Sequence, residues 1–205
     1  MTRSLCLLAL AFVCTLLCIA CEKKNESQKN TFTDTRDGKI YKITKIGEQV
    51  WMAENLNYEA EGNRCYNDST AYCGKYGRLY NWKTAMKVCP SGWHLPTNKE
   101  LDLLMATVGG KKTAGKYLKA TNGWNDYGKI SGNGEDKFGF SAMPGGGGNS
   151  DGIFGDVGNY GGWWNNVSGY DSDSTYYRGI FCFSKDVGYG NYDEYLLFSV
   201  RCLQD

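Results

Sequence analysis

The stretch from Gly77 to Pro96, GRLYNWKTAMKVCPSGWHLP, constrains the possible folds more than any other. Its apolar side chains share one face of a helix, because they fall at i, i+3, i+6, i+7 and i+10: Leu79, Trp82, Ala85, Met86 and Cys89. The pattern predicts one amphipathic helix ending near Cys89, followed by a rigid turn into a second helix. A thiol on the buried side of a core helix is a suitable anchor for a long-range disulfide.

The N-terminus predicts export. A short positive segment with Arg3 precedes an apolar run from Leu5 to Ala20, which is short for a membrane-spanning helix. The run ends LCIAC and resembles a bacterial lipobox, with Cys21 as the acylated (palmitate-carrying) residue. We therefore expect a signal peptide at 1–20, a flexible charged linker at 21–31 and one folded domain at 32–205. A plain secretory signal and an uncleaved membrane anchor are the alternatives.

Charge and composition exclude some classes of partner. The chain carries a net charge of +1, and residues 1–20 contain Arg3 but no acidic residue. The exported part is therefore neutral, which gives no electrostatic basis for binding nucleic acid or an anionic membrane surface. Membrane contact is expected through the lipid anchor alone. The 27 Gly, 15 Tyr and 6 Trp predict a loop-rich fold whose loops are held by aromatic side chains.

Several segments predict regular structure. Residues 32–56 predict a hairpin with turns at Asp37-Gly38 and Gly47-Glu48. Thr97 and Glu100 form the pattern of a capping box at the start of a helix, which Gly109-Gly110 would end. Two strands, at 176–183 and 196–203, close the chain.

Two segments predict loops. Residues 57–77 are polar and show neither helical nor strand periodicity. Residues 121–162 contain fourteen glycines, and only Phe138–Met143 predicts a short strand there. The aromatic side chains in this second segment argue against disorder, so we expect an ordered region of long loops.

Five cysteines fall in the expected domain, and two bridges with one free thiol can form among them in 15 ways: Cys65, Cys73, Cys89, Cys182 and Cys202. Proximity favours a Cys65–Cys73 bridge, and no histidine or second cysteine pair lies nearby to complete a metal site instead. Cys202, like Cys89, falls on an apolar face, which favours a Cys89–Cys202 bridge. Cys182 would then be a buried structural thiol; as a nucleophile it lacks an activating neighbour in the sequence.

Five segments together carry a family resemblance: DGKIYKITKIGEQVWMAENLNY, CYND…YCGKYGRLYNWKTAMKVCPSGWHLP, GFSAMPGG, NSDGIFGDVGNYGGWW and FSVRCL. From 32 to 203 the chain resembles the Fibrobacter succinogenes major paralogous domain, which occurs in exported bacterial lipoproteins. The resemblance implies an α+β fold of the C-type lectin-like type. Such a fold has two helices, small antiparallel sheets, paired terminal strands, a long loop region rich in Gly and aromatic residues, and a disulfide from the first helix to the last strand. The family has no settled activity, and NNVSG at 165–169 departs from the pattern of its members.

The sequence gives little support for catalysis. His94 is the only histidine, and its neighbours Trp93 and Leu95 favour a half-buried hydrogen-bonding residue over a catalytic base. The glycines at 145–148 do not precede a helix as a phosphate-binding loop would. We therefore expect a protein that is not an enzyme.

The long loop region supplies the candidate ligand-binding residues, which are Trp124, Tyr127, Tyr160, Trp163, Trp164, Asn165 and Asn166. Aromatic rings stack on sugar or peptide faces, although the same rings could instead be the core of the loop. Calcium is a candidate cofactor, with hard oxygen ligands at Asp151, Asp156, Asn165, Asn166 and Asp171. Trp164-Asn165-Asn166 resembles the Trp-Asn-Asp element of C-type lectin-like domains that bind sugar through calcium, with an amide replacing the carboxylate.

The sequence as a whole predicts a lipid-anchored binding module of the bacterial cell envelope, at the outer membrane or cell surface. Carbohydrate or another extracellular polymer is the expected ligand. The alternative is a structural envelope lipoprotein, or one that binds another envelope protein and no small ligand.

Overall fold

The structure, a computed structural model, describes residues 30–168 and 174–205. The predicted leader, Cys21 and Asp171 lie outside the described residues. The fold is α+β, as predicted. Its helical segments are a 3-10 turn at Tyr66–Asp68, α1 at Thr70–Tyr76, α2 at Trp82–Ala85, α3 at Asn98–Thr107 and α4 at Lys111–Leu118. Its strands are β1 Thr31–Thr33, β2 Ile40–Ile46, β3 Gln49–Met52, β4 Asn63–Arg64, β5 Leu79–Tyr80, β6 Trp93–His94, β7 Gly147–Asn149, β8 Phe154–Gly155, β9 Tyr160–Ser168, β10 Ser174–Phe181, β11 Gly188–Asp193, β12 Leu196–Ser199 and β13 Leu203–Gln204.

The first sheet joins the two ends of the described chain. Its five strands follow the order β1-β2-β3-β13-β6. Gly47 takes a positive φ of 62° in the tight turn between β2 and β3, a conformation that favours glycine. Leu203 in the last strand lies opposite Trp51 in β3. The predicted hairpin and the predicted pairing of the terminal strands are therefore confirmed.

The second sheet contains the longest strands of the domain. Its main path runs β11-β10-β9-β12-β5-β4, with β7 paired to β12 and β8 paired to β7. Strands β9 and β12 are parallel, whereas the other pairs in this sheet are antiparallel. Successive side chains in a strand point to opposite faces, so the neighbours Trp163 and Trp164 in β9 enter different cores.

Two large cores hold the layers together. In the first, Leu104 of α3 and Leu118 of α4 pack with Trp51 and Trp163. The second lies on the opposite face of β9, where Trp164 packs with Tyr80, Phe198 and Val200. Helices α3 and α4 therefore cover the Trp163 face of β9.

Both predicted disulfides are present. Cys65 and Cys73, the short bridge, are eight residues apart, and Cys89 and Cys202, the long bridge, are 113 residues apart. Among the described residues Cys182 is the free cysteine, and it is buried, as predicted. The long bridge ties the segment after α2 to the crossing between the two sheets, so it encloses most of the domain.

The capping box of α3 is also confirmed. The Thr97 hydroxyl accepts a hydrogen bond from the Glu100 amide at 3.3 Å, and the Glu100 carboxylate accepts one from the Thr97 amide at 2.8 Å. Gly109 and Gly110 follow the helix with φ of 106° and 93°. These positive φ values end α3 where the sequence predicted.

The amphipathic helix predicted from Leu79 to Cys89 is wrong. Leu79 and Tyr80 form β5, which pairs with β4 on one side and β12 on the other. The helix that follows, α2, has only the four residues Trp82–Ala85, and the side chain of its N-cap residue Asn81 accepts from the Thr84 amide at 2.9 Å. Cys89 lies beyond that helix. The apolar spacing suited a helix, but pairing with strands distant in sequence overrode it.

One predicted loop and two predicted strands also need correction. Helix α1 lies inside the segment 57–77, where the sequence showed no periodicity. Phe138–Met143 is not a strand, because only Ala142 makes a bridge, to Lys119. The strand predicted at 196–203 is divided into β12 and β13 in different sheets, because the chain crosses between the sheets at 200–202.

Asn55 is the polar centre of this crossing. Its side-chain oxygen accepts from the Trp163 indole at 2.9 Å and from Arg201 Nε and Nη2 at 3.2 and 2.8 Å. Its amide donates to the Tyr76 carbonyl at 2.9 Å and to the Ser199 hydroxyl at 3.2 Å. Asn55 thereby links β9, the crossing and α1.

Candidate functional site

Most of the candidate aromatic residues are core residues. Trp124, Tyr160, Trp163 and Trp164 are between 1% and 7% exposed. The Trp124 indole donates to the Ala142 carbonyl at 2.9 Å, and the Trp164 indole donates to the Tyr80 carbonyl at 2.6 Å. These indoles hold the fold and do not offer a ring face to a ligand. Tyr127 is different, because it is 61% exposed.

The oxygen-bearing candidates do not converge. Asn165 is fully buried, and its amide donates to Asn98 Oδ1 at 2.9 Å, whereas Asn166, Asp151 and Asp156 are exposed. Asp171 lies outside the described residues. Within residues 30–168 and 174–205, no three His, Cys, Asp or Glu side chains are close enough together to hold a metal ion. The described geometry adds no support to the calcium hypothesis.

The second sheet instead carries an aromatic groove that sequence reasoning did not define. Its volume is about 380 Å³, and the rings that line it are Phe154, Tyr160, Tyr177, Phe181, Tyr192 and Phe198. Strands β9 to β12 form its floor, and the glycine-rich β7–β8 hairpin forms one wall. Of these six rings, only Tyr160 was a predicted ligand-binding residue. We call this set of six rings the aromatic groove.

The rings are packed against one another. Tyr177 stacks on Tyr192 and on Phe198, with ring centroids 5.1 and 5.2 Å apart and interplanar angles of 22° and 26°. Tyr160 lies between Tyr177 at 6.4 Å and Phe181 at 4.8 Å. Offset stacks of this kind fix ring orientation, so the groove is largely preformed.

Glycines in the floor make room for the rings. Gly162 and Gly179 lie opposite each other in β9 and β10. A Cβ atom on Gly179 would be 2.5 Å from the Tyr160 hydroxyl oxygen, and one on Gly162 would be 2.8 Å from the same ring. Tyr160 therefore lies flat over two strands, a placement that only glycine allows at both positions. Gly148 serves Phe154 in the same way, with a Cβ-to-ring distance of 2.5 Å.

The aromatic surface continues beyond the groove. Phe183, just after β10, stacks on Phe181 at 5.2 Å with an interplanar angle of 17°. Tyr127 contacts Phe183 at 5.3 Å. Phe183 and Tyr127 are 56% and 61% exposed, and we call them the outer rings. Groove and outer rings form one connected series of aromatic contacts.

The groove is nearly free of charged groups. Asp156 is its one carboxylate, and no Lys or Arg side chain is among the residues that line it. Burial is the main cause that raises the pKa of the Tyr160 and Tyr177 phenols, so both stay neutral at physiological pH. The Tyr160 hydroxyl is buried without a hydrogen bond of good geometry. The surface is thus aromatic, uncharged and supplied with phenol groups.

Arg64 holds the wall of the groove in place. Its guanidinium donates to both oxygens of Asp68, at 2.8 and 2.6 Å, and to the Ser150 carbonyl in the β7–β8 turn at 2.9 Å. Phe154 of β8 also contacts Tyr66, at 5.4 Å between centroids. The short bridge encloses Tyr66 and Asp68 and begins next to Arg64, so it supports the β7–β8 hairpin that these residues contact.

Two other clefts contain charged side chains. One, of about 380 Å³ beside α1, includes Lys39, which pairs with Asp37 at 3.0 Å. The other, of about 590 Å³, includes Arg36, which pairs with Asp34 at 2.6 Å and stacks on Tyr58. These cations are occupied by neighbouring groups, which makes both clefts weaker candidates than the aromatic groove.

His94 and Cys182 are held by structural contacts. His94 Nδ1 lies 2.7 Å from Asp205, and Nε2 lies 3.0 Å from Glu100 in the capping box. Although burial opposes its protonation, these carboxylates raise the pKa of His94 above its usual value. Cys182 is 5% exposed, and Lys119 donates to its carbonyl at 2.9 Å. The thiol lacks the access that a nucleophile needs.

The described residues thus define a disulfide-linked α+β domain with an aromatic groove on one sheet. The Fibrobacter succinogenes major domain matches residues 44–204, and the chain belongs to that family. No curated protein and no solved structure matches the chain significantly. The predicted family is confirmed, whereas the C-type lectin-like type of the fold stays a prediction. None of the helices in the described part of the chain has the length and hydropathy needed to cross a bilayer.

Proposed function

We propose that this protein is an exported, lipid-anchored binding module of the bacterial cell envelope, and that it binds carbohydrate in the aromatic groove. The observation that carries the proposal is the preformed series of six rings over a glycine floor, in which buried rings hold the exposed Phe181 and Tyr192 in place. In the part of the chain that the structure describes, Phe181 and Tyr192 keep 43% and 48% of their surface exposed. Rings held in this way offer flat apolar faces on which the C–H faces of sugars stack.

Export and anchoring follow from the sequence. The lipobox-like LCIAC segment would place a lipid on Cys21, and the linker would hold the domain away from the bilayer. The two disulfides suit a compartment outside the reducing cytosol. In this proposal no cofactor is needed, because ring stacking does not depend on calcium.

A binding assay tests the function directly. The purified chain is applied to a glycan array, alongside the variants Phe181→Ala and Tyr192→Ala. Each ring contributes about 0.5–1.5 kcal/mol to stacking, so each variant should lose roughly threefold to tenfold in affinity. Leu103→Ala is the control, because Leu103 is 53% exposed on α3 and does not line the groove. Absence of any glycan signal from the parent chain would remove this proposal.

Protein–protein interaction is the second candidate. Ile153, at the groove wall, is 69% exposed, and Ile130, in the loop that carries Tyr127, is 65% exposed. Large aliphatic side chains at the surface are typical of protein interfaces rather than of sugar sites. Under this alternative Ile153→Ser would abolish binding to an envelope protein, whereas under the first proposal it would leave glycan binding within about twofold.

A further inference from the structure

The arrangement of the rings also indicates what kind of carbohydrate would fit. We propose that the aromatic groove and the outer rings form one continuous site for an uncharged, unbranched polysaccharide chain, several sugar units of which lie along β10. This inference rests on the proposed function and specifies its ligand.

The length of the aromatic surface exceeds a single sugar ring. Tyr177, Gly179 and Phe181 alternate along one face of β10, and at about 3.3 Å per residue Tyr177 and Phe181 are separated by about 13 Å. Phe183 and Tyr127 extend the surface further through ring contacts of 5.2 and 5.3 Å. A monosaccharide would contact only part of this series, whereas a chain could contact all of it.

Among residues 30–168 and 174–205, both ends of the surface are exposed. Tyr192 at one end is 48% exposed, and Tyr127 at the other is 61% exposed, whereas the central Tyr160 is 7% exposed. A site closed at one end would select the terminus of a chain. Openness at both ends instead suits binding to the interior of a long polymer.

The charge of the surface selects against anionic polymers. The groove contains the single carboxylate of Asp156 and no cation, so it has nothing to pair with uronates or phosphates. A polyanion would meet a weak repulsion from Asp156 and would lose hydration without compensation. A neutral chain is not repelled by Asp156 and has no charged groups to desolvate. The Tyr177 and Tyr192 hydroxyls can exchange hydrogen bonds with its hydroxyl groups.

The floor supports a chain that lies flat. Gly179 of β10 lies beneath the Tyr160 ring and Gly190 of β11 beneath the Tyr177 ring, and Gly188 of β11 adds no side chain to that part of the sheet. Because these positions carry no side chains, the rings lie flat against the sheet. A branch on the polymer would meet Phe154 and the β7–β8 wall, so an unbranched chain fits better.

Calorimetric titration of the purified whole chain tests the inference. The probes are neutral β-linked glucan and xylan oligosaccharides of two to six units, the parent polymers, and polygalacturonate as an anionic polymer. We expect affinity to rise at least tenfold from two to six units and polygalacturonate to bind at least tenfold more weakly than the neutral polymers. Tyr127→Ala and Phe183→Ala should each weaken binding of the six-unit chain about fivefold and leave the two-unit chain unchanged, whereas Tyr192→Ala should weaken both.

The outcomes separate this inference from the proposed function. Equal affinity for two and six units, with no effect of the outer-ring variants, would overturn the extended site and keep carbohydrate binding. Preference for polygalacturonate would overturn the neutral specificity. Absence of binding to every sugar probe would overturn both proposals. Ile40→Ala is the matched control, because Ile40 is 66% exposed on β2 and does not line the groove.

Discussion

Replacing Asn55 tests the account of how the domain holds its sheets together. Arg201 is 2% exposed, and its bonding partners are Asn55 and the carbonyls of Phe140 and Ser141. Burial lowers the pKa of Arg201 to about 9, which leaves the guanidinium charged at neutral pH. Asn55→Leu removes two bonds to that buried cation and the acceptor of the Trp163 indole. Losing the partner of a buried charge costs about 3–5 kcal/mol.

The cost is measurable as a shift in unfolding. For a domain of this size a loss of 3–5 kcal/mol lowers the melting temperature by roughly 6–20 °C. Urea unfolding followed by tryptophan fluorescence, with both disulfides intact, gives the free energy of unfolding directly.

A double-mutant cycle isolates the charge. If the cost of Asn55→Leu comes from an uncompensated Arg201, then Asn55→Leu/Arg201→Met should be at least about 1.5 kcal/mol more stable than the sum of the single variants implies. The double variant keeps a residual cost, because the Trp163 indole still lacks an acceptor. Strict additivity, or a loss below about 1 kcal/mol for Asn55→Leu alone, would refute the reasoning.

Three further predictions concern other parts of the fold. Gly179→Ala should destabilise the domain by about 1–3 kcal/mol and change the near-ultraviolet circular dichroism of Tyr160. Gly188→Ala is the control and should do neither, because its Cβ atom would meet only a carbonyl oxygen at 3.6 Å; equal effects of the two substitutions would contradict the packing of the Tyr160 ring on Gly179. Because the pKa of His94 is raised in the folded state, the stability that its charged form contributes should be full below the unfolded pKa of about 6.5 and should be lost as pH rises through the folded pKa. The urea midpoint of the parent should therefore fall relative to that of His94→Gln between pH about 5.5 and 8.5, and parallel pH curves for the two proteins would contradict this prediction. Serine replacement of the long bridge should cost about 5 kcal/mol and of the short bridge about 2–3 kcal/mol in the chain-entropy model, and the reverse order in urea unfolding would show that loop length does not decide the difference.

Local signals with one physical cause were predictable from the sequence. The capping box needs only Thr97 and Glu100 three residues apart, and the Gly47 turn needs only a residue that tolerates positive φ. The disulfide pairs followed from proximity and from apolar faces, even though the helix assumed around Cys89 was wrong. Cys89 still lies next to the core, so the conclusion about the bridge survived the error in secondary structure.

Elements that depend on distant partners were not predictable. Helix α4 contains Gly115, which normally weakens a helix. In the fold a Cβ atom at Gly115 would lie 2.8 Å from the Lys185 and Asp186 carbonyls, so the glycine permits a close approach of the loop after β10. The same holds for β5, which exists because β4 and β12 lie on both sides of it. The local sequence indicates neither the approach of residues 185 and 186 to α4 nor the strands that pair with β5.

The candidate site shows a third case, in which the sequence signal was present but was assigned to the wrong structure. Glycines beside aromatic residues, as in YGGWW at 160–164, indicated a loop up to residue 162, yet this segment lies in β9, whereas YYRGIF was predicted as a strand and lies in β10. In a strand, residues two apart share a face, so Tyr177, Gly179 and Phe181 line the groove together. Glycine there costs backbone entropy, and the fold retains it because the Tyr160 ring occupies the space of a side chain. Alternation of glycine with aromatic residues at a spacing of two is therefore a signal of rings lying flat on a sheet.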